Sequence, residues 1–186
     1  PEKIVVAYNG VELSEINDQQ HLDYKKKYDH KKYIYTVGSL EPRKNLVNLL
    51  LAFSEILKTI PDLYLIVTGS VSWKAENIYK IIESNQLQSK IIFTGYIDDT
   101  ELVYLYSNCK IFVYIPQYEG FGFPIIEAIK CGAKVLASNI PVFLFFSNDF
   151  CHFVDSDNIN SIVEGILSSI EGERKRDWPP SQFYHH

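Results

Sequence analysis

The chain has no methionine, only three cysteines, and no apolar run approaching the roughly 20 residues that a membrane-spanning helix requires. Its first residues, Pro1-Glu2-Lys3-Ile4, lack the layout of a signal peptide, and together with the missing methionine they suggest a start inside a longer protein. Cys109, Cys131 and Cys151 are widely spaced, with no C-x-x-C pair and no histidine-rich cluster, so no metal site is expected. Sparse, unpaired thiols fit a reducing, cytoplasmic setting. Basic residues are outnumbered, 18 against 23 acidic, and the net charge of -5 argues against a nucleic-acid-binding face. Also missing are G-x-x-x-x-G-K-[ST], G-x-S-x-G, H-E-x-x-H, and any G-x-G-x-x-G opening the first helix of the strand–helix series. A doubly wound signalling domain would need an acid at the end of its first strand, where Val37 is followed by Gly38-Ser39.

What remains suits one well-filled domain: 186 residues, 46 % apolar and 22 % charged, with 13 tyrosines and 11 phenylalanines to supply a large core. Residues 1–32 read as an entering strand, Ile4 to Tyr8, closed by Asn9-Gly10 and followed by a polar linker. Lys25, Lys26, Lys27, Lys31 and Lys32 in that linker are expected to be solvated; a membrane-surface patch is the sharper alternative. Residues 33–170 alternate between β-rich runs and helical spacing. Strands are expected at Tyr33–Val37, Leu63–Val67, Lys90–Phe93, Lys110–Ile115, Lys134–Ala137 and Cys151–Val154. Helices are expected at Asn45–Ile60 (capped by Asn45 and stopped by Pro61), Trp73–Leu87, Asp98–Ser107, Phe123–Cys131 and Ile159–Ile170. Residues 171–186 read as an irregular tail, with His185-His186 consistent with a tag remnant.

This alternation implies an α/β fold, a doubly wound, mostly parallel, Rossmann-like sheet covered on both faces. Ligands of such sheets bind beyond the carboxyl ends of the strands, which confines the search to the segments after Val37, Val67, Phe93, Ile115 and Ala137.

Three of those segments carry chemistry. Gly38-Ser39-Leu40-Glu41-Pro42-Arg43-Lys44-Asn45 sets two cations at the entrance of a helix. Cations there oppose the helix dipole unless an anion joins them, so either they are ordinary surface charges or they hold phosphate. A guanidinium grips phosphate as a fork and an ammonium as a point charge. Pro116-Gln117-Tyr118-Glu119-Gly120-Phe121-Gly122-Phe123-Pro124 leads into a helix bearing Glu127. Gly120 and Gly122 let the backbone come close to a ligand, and Glu119 and Glu127 can each accept hydrogen bonds from hydroxyl groups. The plain alternative is a loop acid and a dipole-complementing acid. Thr94-Gly95-Tyr96-Ile97 could form a shelf for a base or simply a βα turn.

Taken together, these segments resemble the carboxyl-terminal domain of glycosyltransferase family 4, retaining enzymes of GT-B architecture. Val37 to Asn45 is similar to that family's phosphate loop, and Tyr118 to Glu127, followed by Ala128, Cys131-Gly132 and Ala137-Ser138-Asn139, to its Glu-x7-Glu signature. Val6 to Val11 looks like the hinge entering the domain, and the resemblance runs from about Ile4 to Ile170. It implies that this is the half binding a nucleotide-diphosphate sugar and that the amino-terminal, acceptor-binding half is missing. Lys44 and Arg43 would face the donor diphosphate and Glu119 the donor sugar. Glu127 would hold the ribose, and backbone groups around Gly38, Ser39, Gly120, Phe121 and Gly122 would meet phosphate and sugar. Tyr96 and Ile97 would border the base. The resemblance implies no metal and no cofactor, with the nucleotide sugar as a substrate.

Two departures stand out. Many family members carry arginine where this chain has Ser39, a charge that Arg43 would have to replace. The run Pro141-Val142-Phe143-Leu144-Phe145-Phe146 replaces a Leu-Pro-Glu-Val-like stretch, and is expected to be a loop exposed where the other half is missing. The partners implied are a glycan or lipid-linked acceptor and, for a family that often builds surface polysaccharide, the inner face of a membrane. The rival reading is a non-catalytic nucleotide-sugar-binding module.

Overall fold

The computed structural model describes residues 11–28, 31–70 and 76–172. The expected entering strand, the first residues of the expected helix at Trp73, and the Trp178 tail lie outside them.

The described chain runs α1 (Asp18–Tyr28), β1 (Lys32–Val37), α2 (Leu46–Ile56), β2 (Leu63–Thr68), α3 (Glu76–Ser84), β3 (Ile91–Gly95) and α4 (Asp99–Asn108). It continues through β4 (Ile111–Tyr114), α5 (Phe123–Lys130), β5 (Val135–Ser138), α6 (Pro141–Ser147), β6 (Cys151–Val154) and α7 (Ile159–Glu171). The six strands form one sheet in the order β3-β2-β1-β4-β5-β6, and every pairing is parallel. The chain therefore winds outward to one edge, returns to the middle, and winds out to the other. The reversal falls between β1 and β4, where Ile34 pairs with Ile111 and Tyr35 with Phe112. In doubly wound sheets that gap is the ligand crevice.

Alternation along the central strands sorts the core into two layers. Ile34, Ile111, Val113 and Ile115 face an aliphatic layer completed by Leu49 and Phe53 of α2 and Ile162 and Ile166 of α7. Tyr33, Tyr35, Phe112 and Tyr114 face an aromatic layer completed by Tyr106 of α4, Ile125 of α5 and Phe143 of α6. Two buried faces explain why these strands read as unbroken apolar runs.

The segment read as a linker is largely α1, an 11-residue helix. It is polar apart from Leu22, Tyr24 and Tyr28, so it lacks an apolar stripe wide enough to be read as a helix. Its contacts with α4 hold it in place: Tyr28 is buried, Lys27 pairs with Glu101 at 2.6 Å, and the Tyr24 hydroxyl meets that of Thr100 at 2.7 Å. Pro141–Phe146, read as a loop, forms most of α6, with Phe143 and Phe146 buried and Pro141, Leu144 and Phe145 exposed.

Asn45 does not cap α2 with its side chain. Its backbone is left-handed, with φ 59°, and its amide instead donates to the Ser156 carbonyl oxygen at 2.7 Å. Asn48 donates to the same oxygen at 3.0 Å, so the loop after β1 is tied to the loop after β6. Pro42–Lys44 forms a separate 3-10 turn ahead of α2, which places Arg43 and Lys44 outside the helix proper. The remaining expected elements start and end within a few residues of those observed.

Candidate functional site

The loops after β1 and β4 meet over the gap in the sheet. The Gln117 amide donates to the Arg43 carbonyl oxygen at 2.9 Å, and the buried Ser138 hydroxyl at the end of β5 donates to the Pro116 carbonyl oxygen at 2.8 Å. On the other side, the Gly38 amide donates to Thr68 at 2.9 Å and the Leu40 amide to Ser70 at 3.1 Å. The Tyr35 hydroxyl reaches Thr68 Oγ1 at 3.0 Å, which in turn meets Thr94 Oγ1 at 2.8 Å. The carboxyl ends of neighbouring strands are thus fixed to one another, which holds the side chains above them in register.

At the centre lies Glu119. Its Oε2 accepts from Lys44 Nζ at 2.6 Å and from the Tyr114 hydroxyl at 2.6 Å, with an Arg43 guanidinium nitrogen at 3.4 Å. Lys44 Nζ also donates to the Tyr114 oxygen at 2.6 Å, closing a triangle. The Lys44 and Glu119 side chains are only 14 % and 18 % exposed. Arg43 is turned the other way by Glu41, whose carboxylate accepts from Nε at 2.8 Å. A narrow cleft lined by Val37, Gly38, Ser39 and Lys44 runs beside the cluster.

Burial alone would raise the Glu119 carboxyl. The hydrogen bonds from Lys44 and Tyr114 and the Lys44 charge outweigh burial, so its pKa is held below the ordinary glutamate range. The Tyr114 hydroxyl is pushed far up, first by burial, then by its bond to Glu119 and that carboxylate's charge; Arg43 opposes the rise and Glu127 adds to it. One phenol thus feels Glu119, Arg43 and Glu127 together. Glu127, half-buried on α5, accepts from the Tyr106 hydroxyl at 3.0 Å. Burial raises its pKa against the smaller, opposing effect of that hydrogen bond.

The glycine loop packs tightly from below. Gly122 begins α5 with φ +95°, and a Cβ there would lie 2.4 Å from Cε1 of Phe143. Phe121 stacks on Phe146 at 5.4 Å and meets Phe123 edge to face at 5.0 Å. The Gly120 amide lies 3.4 Å from an oxygen of Glu119. At the far side of the sheet Tyr96 is 94 % exposed and Ile97 packs on the aromatic layer; neither touches the Glu119 cluster through a hydrogen bond or ring contact.

Of the four charged residues singled out, Arg43, Lys44 and Glu119 come together, whereas Glu127 bonds to Tyr106 and makes no hydrogen bond or ion pair with the other three. Sequence reasoning missed Tyr114 and Tyr106. Both look like core aromatics, and only the partner across space reveals the hydroxyl's use.

A parallel sheet in this strand order, with a cluster of cations and carboxylates at its switch point, defines a Rossmann-like α/β domain matching those of GT-B glycosyltransferases. The chain belongs to the family described as glycosyl transferases group 1, whose model matches residues 17–179. It is 33 % identical over 146 residues to the O-antigen chain mannosyltransferase B of Escherichia coli, covering 78 % of this chain and 38 % of that one. The carboxyl-terminal domain of the group 1 protein LpcC from Francisella tularensis superimposes with a TM-score of 0.69 at 24 % identity, covering 86 % of this chain and 85 % of that domain. Anabaena HepE, solved in complex with UDP and glucose, gives 0.72 at 17 % identity over 84 % of this chain and 44 % of that chain. The chain spans less than half the length of the curated relatives it matches, between 19 % and 47 % of the first ones. Among the described residues no helix is long and apolar enough to cross a membrane.

Proposed function

We propose that this domain binds a nucleotide-diphosphate sugar at the β1/β4 switch point and serves a retaining, family 4 glycosyltransferase. The observation that carries the reading is the convergence of Lys44 and Arg43 on Glu119 above the sheet gap, with Glu127 on the next helix. Two cations suit a diphosphate, and two carboxylates suit hydroxyl groups. In this reading Lys44 and Arg43 face the diphosphate, Glu119 the sugar and Glu127 the ribose. Amides of the Gly38-Ser39 and Gly120-Phe121-Gly122 segments meet phosphate and sugar, and Tyr96 and Ile97 border the base.

Sugar transfer separates a cationic sugar from an anionic diphosphate. Charges already fixed by the fold stabilise the leaving diphosphate without reorganising, so Arg43 and Lys44 supply the electrostatic part of catalysis and no metal or other cofactor is invoked. Exclusion of water and binding of a glycan or lipid-linked acceptor fall to a second domain, so the described domain alone binds donor and does not turn over. The names of its relatives favour a hexosyl donor such as a mannosyl nucleotide and a role in surface polysaccharide; a cytoplasmic setting at the inner face of a membrane is part of the same proposal. Titration of UDP, GDP and ADP into the chain, with Lys44→Ala as control, tests the reading. Saturable binding of one nucleotide that Lys44→Ala weakens supports it, and no binding of any of them at millimolar concentration contradicts it.

A further inference from the structure

The geometry points to Glu119 as a stand-in for the donor's phosphate: its carboxylate occupies a three-donor anion seat made by Lys44, Tyr114 and Arg43, and diphosphate must evict it to bind. The inference rests on the proposed donor site and deepens it.

The seat is defined by its donors. Lys44 Nζ and the Tyr114 hydroxyl, 2.6 Å apart, both point at one oxygen, Glu119 Oε2, each at 2.6 Å; Arg43 lies behind at 3.4 Å. One acceptor oxygen held by an ammonium, a phenol and a guanidinium is also the contact set a phosphate oxygen would take. A phosphate oxygen that takes all three of these donors has to sit where Glu119 Oε2 now sits, and two anionic oxygens cannot share that position. Either the carboxylate or the phosphate has the seat. Glu119 is free to leave because it stands on the loop after β4, flanked by the exposed Tyr118 and Gly120, whereas Tyr114 belongs to β4 itself and Lys44 to the 3-10 turn ahead of α2.

Two consequences follow. An empty site carries no unpaired buried cation, because Glu119 neutralises the seat until donor arrives. Donor binding and delivery of Glu119 toward the sugar also become one event, so the carboxylate is released only when a diphosphate has replaced it. Tyr114 is then a positioning residue that keeps Lys44 aimed in both states.

Glu41 supplies the control, for it is a second carboxylate paired with Arg43, at 2.8 Å, but with no contact to Lys44. Calorimetric titration of UDP, GDP, ADP and inorganic pyrophosphate into the wild-type chain, Glu119→Gln and Glu41→Gln separates the cases. Eviction predicts that Glu119→Gln binds the preferred diphosphate about tenfold more tightly than wild type, since a charge-assisted bond no longer has to be broken, while Glu41→Gln gains no more than about twofold. Equal gains in the two variants, or no gain in Glu119→Gln, overturn the inference while leaving the donor site standing. No binding by wild type or by either variant overturns the donor site itself. Glu119→Ser, checked by circular dichroism, serves as the second carboxylate-free variant if Glu119→Gln does not fold.

Discussion

Gly69 and Gly38 touch backbone to backbone: a Cβ on Gly69 would lie 2.1 Å from the Gly38 carbonyl oxygen. The loop after β2 thereby sets the height of the loop after β1. Gly69 also has φ +148°, a conformation that side chains rarely adopt. Gly69→Ala is expected to lose about 2–3 kcal/mol of stability in urea titration, because backbone cannot swing aside as a side chain can. It should weaken nucleotide binding as well, since the displaced segment is the one carrying Gly38 and Ser39.

Lys44→Ala removes the ammonium that Glu119 and Tyr114 share. In a full-length enzyme containing this domain, the loss of leaving-group stabilisation should lower kcat by about 100- to 1000-fold. Steady-state kinetics with nucleotide sugar measure this, and a change confined to KM would mean that Lys44 binds substrate and transition state alike.

Gly122 and Phe143 form a second tight pair, so their substitutions should couple. Phe143→Ala empties a fully buried position and is expected to cost about 3–5 kcal/mol. The Gly122→Ala/Phe143→Ala double variant should be destabilised by at least about 1 kcal/mol less than the sum of the singles, because the missing ring relieves the added methyl. Additive urea midpoints would show that the left-handed backbone alone makes Gly122 necessary.

The two glutamates should respond to pH with opposite sign. The Glu119 carboxyl is depressed in the folded state, so its contribution to stability is present above the ordinary glutamate value near 4.5 and is lost as the pH falls through the folded value. Glu127 is raised, so the unfolded chain releases its proton first and stability declines as the pH rises through 4.5 toward the folded value. Glu127→Gln is therefore expected to raise the urea midpoint at pH 7 and to leave it unchanged at pH 3.

The fold was legible where burial is symmetrical and punctuation strong. Ile111–Tyr114 is apolar throughout and ends before Pro116, and Phe123-Pro124 opens a helix that Gly132 follows. Elements held by tertiary contact were not legible. α1 owes its place to Tyr24, Lys27 and Tyr28 meeting α4, and α6 is an apolar run with no period to betray a helix. The site showed the same division. Arg43 and Lys44 stood out as cations at a helix entrance and Glu119 and Glu127 as acids around a glycine loop and the helix after it, whereas the phenols of Tyr114 and Tyr106 were indistinguishable from core aromatics until their carboxylate partners were in place. Asn45 does stand at the N-cap of α2, but its amide serves a loop 111 residues further along the chain in place of its own helix.

Mapping backbone amide shifts by NMR while UDP, GDP and ADP are titrated into the chain tests the donor site most directly. The account predicts saturable shifts concentrated at Gly38, Ser39 and Gly120 to Gly122 for one of the three nucleotides, lost in Lys44→Ala. Shifts centred instead on the apolar hollow between α2 and α3, around Val47 and Asn77, or no shifts with any nucleotide, would contradict it.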